Sequence, residues 1–235
     1  MISPIFPRVC INEYTRRCDK MLEVGNLKET EQTIFNHTGP FIQTIDRDIE
    51  ILTRQEEPLV VLLDNVLSDD ECDELITHAK LRMKRSKIGL SREENEMRTS
   101  SGMFFEESET ELIKRIEKRI ETIMNIPIEH AEPLQVLHYE PGQQYKPHFD
   151  YFSNHRTNNN RISTLILYLN DVEEGGETIF PTLNYSFAAK KGTGLYFEYF
   201  YQDEAINELT IHAGSPVISG EKWVATQWMR RQRIR

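Results

Sequence analysis

From about residue 134 to residue 228 the apolar positions fall in short runs, at 134–139, 148–152, 162–169, 177–180, 194–199, 209–212 and 222–228. Turn chemistry separates them: Pro141-Gly142, the three asparagines at 158–160, Gly175-Gly176, Lys191-Gly192 and Gly214-Ser215-Pro216. Short strands with regular turns predict a sandwich, jelly roll or barrel. Upstream the period changes to that of a helix, with Cys72, Leu75, Ile76, Ala79 and Met83 on one stripe and Leu112, Ile113, Ile116, Ile120 and Ile123 on another. Both read as core-facing stripes. Ser68 with Glu71, and Ser108 with Glu111, have the spacing of capping boxes, and Pro127 closes the second helical region. Residues 59–63 form an apolar strand after Pro58, and a turn at 37–40 divides Ile34-Phe35 from Phe41-Ile42. Residues 86–105 keep neither period, which predicts a long mobile loop. Helices first and strands later give an α+β fold in which N-terminal helices pack outside a double-sheet barrel.

The first thirty residues show no sustained period and combine Pro4, Pro7, Cys10 and Cys18 with scattered charge, so they are expected to be poorly ordered. Arg16-Arg17 is encodable by AGGAGG, a purine run resembling a bacterial ribosome-binding site, at a workable distance before Met21. Met21 is thus a candidate start, with residues 1–20 untranslated. The remainder, 31–235, suits one domain.

Charge and cysteine usage narrow the class. With 28 Lys and Arg against 38 Asp and Glu, the net charge is −10, which argues against non-specific binding to nucleic acid or an anionic membrane. Four arginines in the last six residues are expected to form a solvated terminal face or tail. Three cysteines without a paired CxxC spacing predict reduced thiols and a cytoplasmic location, with Cys72 a core residue. No run has the length of a membrane span, and the N-terminus lacks an apolar signal core.

Against this background His148-Phe149-Asp150, followed by His212 and then by Lys222, carries the chemistry. Two imidazoles and one carboxylate make the facial triad that holds non-heme Fe(II) and leaves open positions. Side chains two apart on a strand share a face, so His148 and Asp150 are expected to project together. An isolated HxD is most often a polar pair at a strand end; a later His and a Lys ten positions beyond it change that reading. His37, His78, His130, His138 and His155 have no partner at metal spacing and read as surface or structural.

The run from Leu137 through Tyr145-Lys146-Pro147-His148-Phe149-Asp150 resembles the segment entering the iron site of prolyl 4-hydroxylases. So do Arg161-Ile162-Ser163-Thr164-Leu165, Tyr168-Leu169-Asn170-Asp171-Val172, Gly175-Gly176-Glu177-Thr178-Ile179-Phe180-Pro181, Gly220-Glu221-Lys222-Trp223 and, upstream, Arg98-Thr99-Ser100-Ser101-Gly102. The resemblance covers about residues 58–230, in family order, and points to the compact bacterial and algal enzymes. It implies a double-stranded β-helix (jelly-roll) core at about 132–230. It also implies Fe(II) on His148, Asp150 and His212, and Lys222 paired with the C5 carboxylate of 2-oxoglutarate, assisted by Tyr139 and Thr178. Trp228, on the Lys222 face, is placed beside the cofactor; Trp223 points into the core. Arg98, Tyr145 and Arg161 are candidate peptide contacts. The reaction implied consumes O₂ and hydroxylates proline in a peptide or protein, with ascorbate as reductant; a collagen-like substrate and a homodimer stay open. Two rivals keep parts of this picture: a dioxygenase acting on another amino acid or small molecule, and a silent barrel that binds proline-rich peptides.

Overall fold

The computed structural model describes residues 30–86, 96–152 and 157–235. The N-terminal part holds β1 (Phe41–Gln43), β2 (Asp48–Gln55), β3 (Val60–Asp64), α1 (Asp69–Lys80), β4 (Lys84–Arg85), β5 (Ser101–Phe104) and α2 (Glu111–Met124). Then follow β6 (Gln135–Tyr139), β7 (Tyr145–His148), β8 (Arg161–Tyr168), β9 (Glu174–Gly175), β10 (Thr178–Phe180), β11 (Tyr185–Phe187) and β12 (Gly194–Glu198). The chain ends with α3 (Glu204–Glu208), β13 (His212–Gly214), β14 (Val217–Ser219) and β15 (Lys222–Arg230). A nine-stranded sheet runs β1-β2-β3-β12-β8-β15-β6-β5-β4, a four-stranded sheet runs β11-β10-β13-β7, and β14 pairs with β9. The strand pairs are antiparallel, as a jelly roll requires.

Strict alternation along the large sheet explains the continuous apolar runs. Val60, Leu137, Ile166, Tyr168, Leu195, Phe197 and Val224 belong to the inner cluster between the sheets. Their neighbours Val61, Val136, Leu165, Leu167, Tyr196, Trp223 and Ala225 belong to the outer cluster, with Cys72 and Leu75 of α1 and Leu112, Ile116, Ile120 and Ile123 of α2. Strands buried on both faces lose the polar half of their alternation. Burial also pushes the Cys72 thiol up to about 12.

The Ser68–Glu71 capping box is present in both directions, Glu71 N–H donating to Ser68 Oγ at 3.2 Å and Ser68 N–H to Glu71 Oε2 at 2.9 Å. Glu71 also accepts from the fully buried Arg119 of α2 at 2.9 and 3.0 Å, so one carboxylate caps α1 and pairs the charge that α2 buries.

Several expectations are corrected. Thr110, not Ser108, caps α2, taking Ile113 N–H at 3.1 Å. Ser108 sits at φ 50 and gives its N–H and hydroxyl to Glu117, which removes it from the cap. Strands do not simply follow helices: β1–β3 precede α1, and β3 pairs with β12 inside the large sheet. The segment predicted as a loop contributes β5, paired with β6; residues 87–95 lie outside the described residues. Arg98, within that segment, is a buried residue bridged to Tyr145. Of the predicted strand at 209–212 only His212 is strand, opening β13; Leu209 is the C-cap of α3, and residues 210–211 join the two. The terminal arginines form a mostly exposed face, not a free tail: Arg230 pairs with Glu132, Arg233 with Glu129 and Arg235 with Glu117. The expectation of a poorly ordered N-terminus, the Met21 start, Cys10, Cys18 and His155 concern residues outside those described. Among the described residues no helix is long and apolar enough to cross a membrane.

Candidate active site

His148 and His212 face each other directly across the β7–β13 ladder. Opposed residues of an antiparallel pair point to the same side at close range, and these two rings stand 4.3 Å apart between centroids. The ladder ends there, because His212 is the first residue of β13. β7 therefore stops at His148, short of the predicted 148–152 strand, and Asp150 stands two residues past its end. His148 Nδ1 meets the Lys146 carbonyl at 2.8 Å and His212 Nδ1 meets the Thr210 carbonyl at 3.0 Å. A carbonyl only accepts, so each Nδ1 carries the proton and each Nε2 presents a lone pair.

Those two Nε2 atoms lie 3.7 and 3.6 Å from Asp150 Oδ1 and Oδ2. These separations are too long for hydrogen bonds, and the three ligand atoms fall within 4.8 Å of one another. Donors about 2 Å from a shared ion have spacing of this order. Burial, with the neighbouring His212 imidazole, holds His148 down to about 3, so it is neutral at pH 7. Burial would raise Asp150, but the Arg161 charge and the Thr164 hydrogen bond are among the neighbours that hold it low. Two imidazoles and one carboxylate fit Fe(II).

The cavity runs from this cluster to Lys222 and is lined among others by Tyr139, Thr178, Val224 and Trp228. Lys222 opens β15 opposite Tyr139, and its ammonium stands 5.8 Å from the rings of both Tyr139 and Tyr168. Tyr168 donates to Thr178 Oγ1 at 2.8 Å, setting that hydroxyl beside the same end. Lys222 is buried, and among the described residues no carboxylate makes an ion pair with it. Burial pushes its pKa down to about 8, against only a weak raising pull from Glu177. An unpaired buried cation fits an anionic ligand. Gly176, at φ +70, keeps this end open: a Cβ there would stand 3.4 Å from Lys222 Cδ.

Other predicted residues divide. Tyr145 lines the cavity, stacked on His148 at 3.5 Å, and burial raises its phenol to about 12. Arg98 also lines it, lying over the Tyr145 ring at 5.0 Å and donating to Gln135 Oε1 at 3.0 Å, while its buried Nε has no partner. Trp228 shares the cavity but sits opposite Thr164 near the metal cluster, six residues along β15 from Lys222, or about 20 Å of extended chain. It is therefore not beside the lysine; its buried Nε1 is likewise unpartnered. Arg161 does not line the cavity. It clasps Glu132 through two 2.7 Å bonds, covers Trp228 at 3.9 Å and reaches the Asp150 carbonyl at 3.4 Å. Sequence reasoning missed Thr164, Tyr168 and Tyr199 at the site. Thr164 and Tyr168 lay inside quoted motifs, yet nothing in a strand distinguishes a threonine or tyrosine that orients a ligand from one that packs.

Residues 134–230 match the 2OG-Fe(II) oxygenase superfamily. The chain is 40% identical over 200 residues to probable prolyl 4-hydroxylase 3 of Arabidopsis thaliana, covering 74% of this chain and 69% of that protein. It is 37% identical to prolyl 4-hydroxylase 5 of the same plant, over 78% and 71%. Among solved structures, the viral collagen prolyl hydroxylase of Paramecium Bursaria Chlorella virus-1, in its 2OG complex, aligns at 36% identity with TM-score 0.59, over 73% of this chain and 95% of that one. The Pseudomonas putida prolyl-4-hydroxylase shares the fold at 16% identity and TM-score 0.53, over 73% and 92%. With its jelly roll, its two-histidine, one-carboxylate cluster and these relatives, the chain belongs to the prolyl 4-hydroxylase family of 2-oxoglutarate- and Fe(II)-dependent dioxygenases.

Proposed function

We propose that this protein hydroxylates proline residues in a peptide or protein, consuming 2-oxoglutarate and O₂ and releasing succinate and CO₂. One observation carries the reading: a single cavity joins the His148–Asp150–His212 cluster to a buried, unpaired Lys222. His148, Asp150 and His212 are the residues that would hold Fe(II). Lys222, with the Thr178 and Tyr139 hydroxyls, would take the far carboxylate of 2-oxoglutarate. Bound there, iron and 2-oxoglutarate supply the oxidising power that breaks an unactivated C–H bond.

The chain's own work is placement and exclusion of water. Lys222 and Thr178 fix one end of the cosubstrate, so its reacting end is presented at the metal cluster. The inner apolar layer keeps water from the path between them. Near the cluster, the cavity-lining Arg98, Tyr145 and Trp228 would border an extended peptide. Proline-rich segments suit such a groove because polyproline II has little entropy left to lose. The viral relative, named a collagen prolyl hydroxylase, supports a collagen-like Gly-X-Pro context. Ascorbate serves as the reductant after uncoupled turnover, and the free thiol Cys72 is consistent with action in the cytoplasm.

The test incubates the protein with Fe(II), 2-oxoglutarate and proline-rich peptides and reads both succinate and peptide mass. One added oxygen located on proline, matched to succinate, is expected. Succinate stimulated only by a free amino acid would replace the peptide reading with the small-molecule one.

A further inference from the structure

Of the three metal-facing residues, Asp150 alone is not oriented by a sheet ladder. It lies past the end of β7, and its position is set from β8 instead. Arg161 reaches its carbonyl at 3.4 Å, and Thr164 Oγ1 stands 2.7 Å from its Oδ2. The same Thr164 oxygen lies 2.7 Å from the Tyr199 hydroxyl. Thr164 is fully buried, and Tyr199 and Asp150 are 3% and 8% exposed, so bulk water does not compete for these bonds.

The chemistry of the three groups sets the direction of the chain of bonds. Thr164 Oγ1 donates its single proton to Asp150 Oδ2. Thr164 Oγ1 is then left as an acceptor, and the remaining proton must come from Tyr199. Burial holds the Tyr199 phenol far above its ordinary value, so that proton stays in place. Tyr199 is itself anchored at the end of β12, its N–H donating to the Ile162 carbonyl at 3.0 Å.

We propose that Tyr199 and Thr164 are positioning residues for the metal site: Tyr199 O–H donates to Thr164, Thr164 O–H donates to Asp150 Oδ2, and together they set the rotation of the carboxylate. Without that bond the carboxylate could turn about its Cβ–Cγ axis. With it, Oδ1 stays toward His148 and Oδ2 toward His212, the arrangement in which all three ligands face one point. This inference rests on the metal-site reading above. A residue that merely fills space would be replaced without loss by an isostere lacking the hydroxyl, and the test turns on that difference.

Co(II) binding to the purified full chain is followed by titration and by the visible d–d spectrum, with no turnover required. Thr164→Val keeps the shape and removes the donor; it is expected to weaken Co(II) about 10- to 100-fold, the effect typical of losing a hydrogen bond behind a metal ligand, and to shift the spectrum. Thr164→Ser restores the hydroxyl and is expected to recover both. Tyr199→Phe is expected to show a smaller loss in the native background and none once Thr164 is Val. Native affinity and an unshifted spectrum in Thr164→Val, or an equal Tyr199→Phe loss in both backgrounds, overturns the relay. The metal-site reading fails differently: the unaltered chain would then bind no Co(II), or His212→Ala would bind it equally well.

Discussion

The two ends of the cavity are built in opposite ways. The metal end hangs on short elements: β7 has four residues, β13 has three, and Asp150 belongs to neither. The lysine end begins the nine-residue β15, which pairs with β6 on one side and β8 on the other. The difference follows from when each charge meets its partner. Metal binding releases enough free energy to draw together ligands carried on separate short elements, once the carbonyls behind the two histidines and the hydroxyl behind Asp150 have aimed them. Lys222 must instead keep a desolvated cation in place before any carboxylate arrives. That demands a rigid strand and a closed apolar wall.

The largest effect expected from breaking this contrast is at the metal end. Asp150→Ala or His212→Ala is expected to abolish coupled succinate formation and stoichiometric metal binding, with circular dichroism unchanged. Normal turnover by purified His212→Ala would end the triad assignment. At the lysine end, Lys222→Ala is expected to raise the KM for 2-oxoglutarate about ten- to a hundredfold, as loss of a charge-assisted contact worth roughly 1.5–3 kcal/mol implies. Metal affinity should stay put, which separates the two ends. Lys222→Arg should rescue only partly, because the planar guanidinium is larger.

A gentler probe is pH. Lys222 is held down to about 8, so the pocket cation is present below that pH and lost above it. Calorimetric affinity for 2-oxoglutarate should be flat from pH 6.5 to 7.5 and fall about tenfold by pH 9, with proton uptake on binding in the alkaline range. The alkaline loss should vanish in Lys222→Arg, which stays charged; persistence there would assign the titration to another group. Smallest, and a control on both ends, is the helix cap. Thr110→Ala should lower stability by about 1 kcal/mol in urea unfolding, and Ser108→Ala, which removes a hydrogen bond to the buried Glu117 carboxylate, by a comparable or larger amount. Neither should alter metal or 2-oxoglutarate binding.

Much of this was legible in the chain itself. The stripes on α1 and α2 follow from helical spacing, the Ser68–Glu71 box from local hydrogen bonding, and the strand-rich half from short apolar runs with turn residues between them. The residue types His148, Asp150, His212 and Lys222 announced their chemistry through order and spacing, because a metal and a carboxylate select ligands by kind. What the sequence could not decide is how segments far apart pair. That His148 stands opposite His212, that β7 stops there, and that Arg98 is buried against Tyr145 are matters of register and sheet edge. So too is the division of labour among arginines: Arg161, Arg230 and Arg235 each find a carboxylate only because folding brings Glu132 and Glu117 to them. Local preference depends on a few neighbouring residues and can be read from them. The site depends on contacts between positions tens of residues apart, and only the closed sheets determine which of those meet.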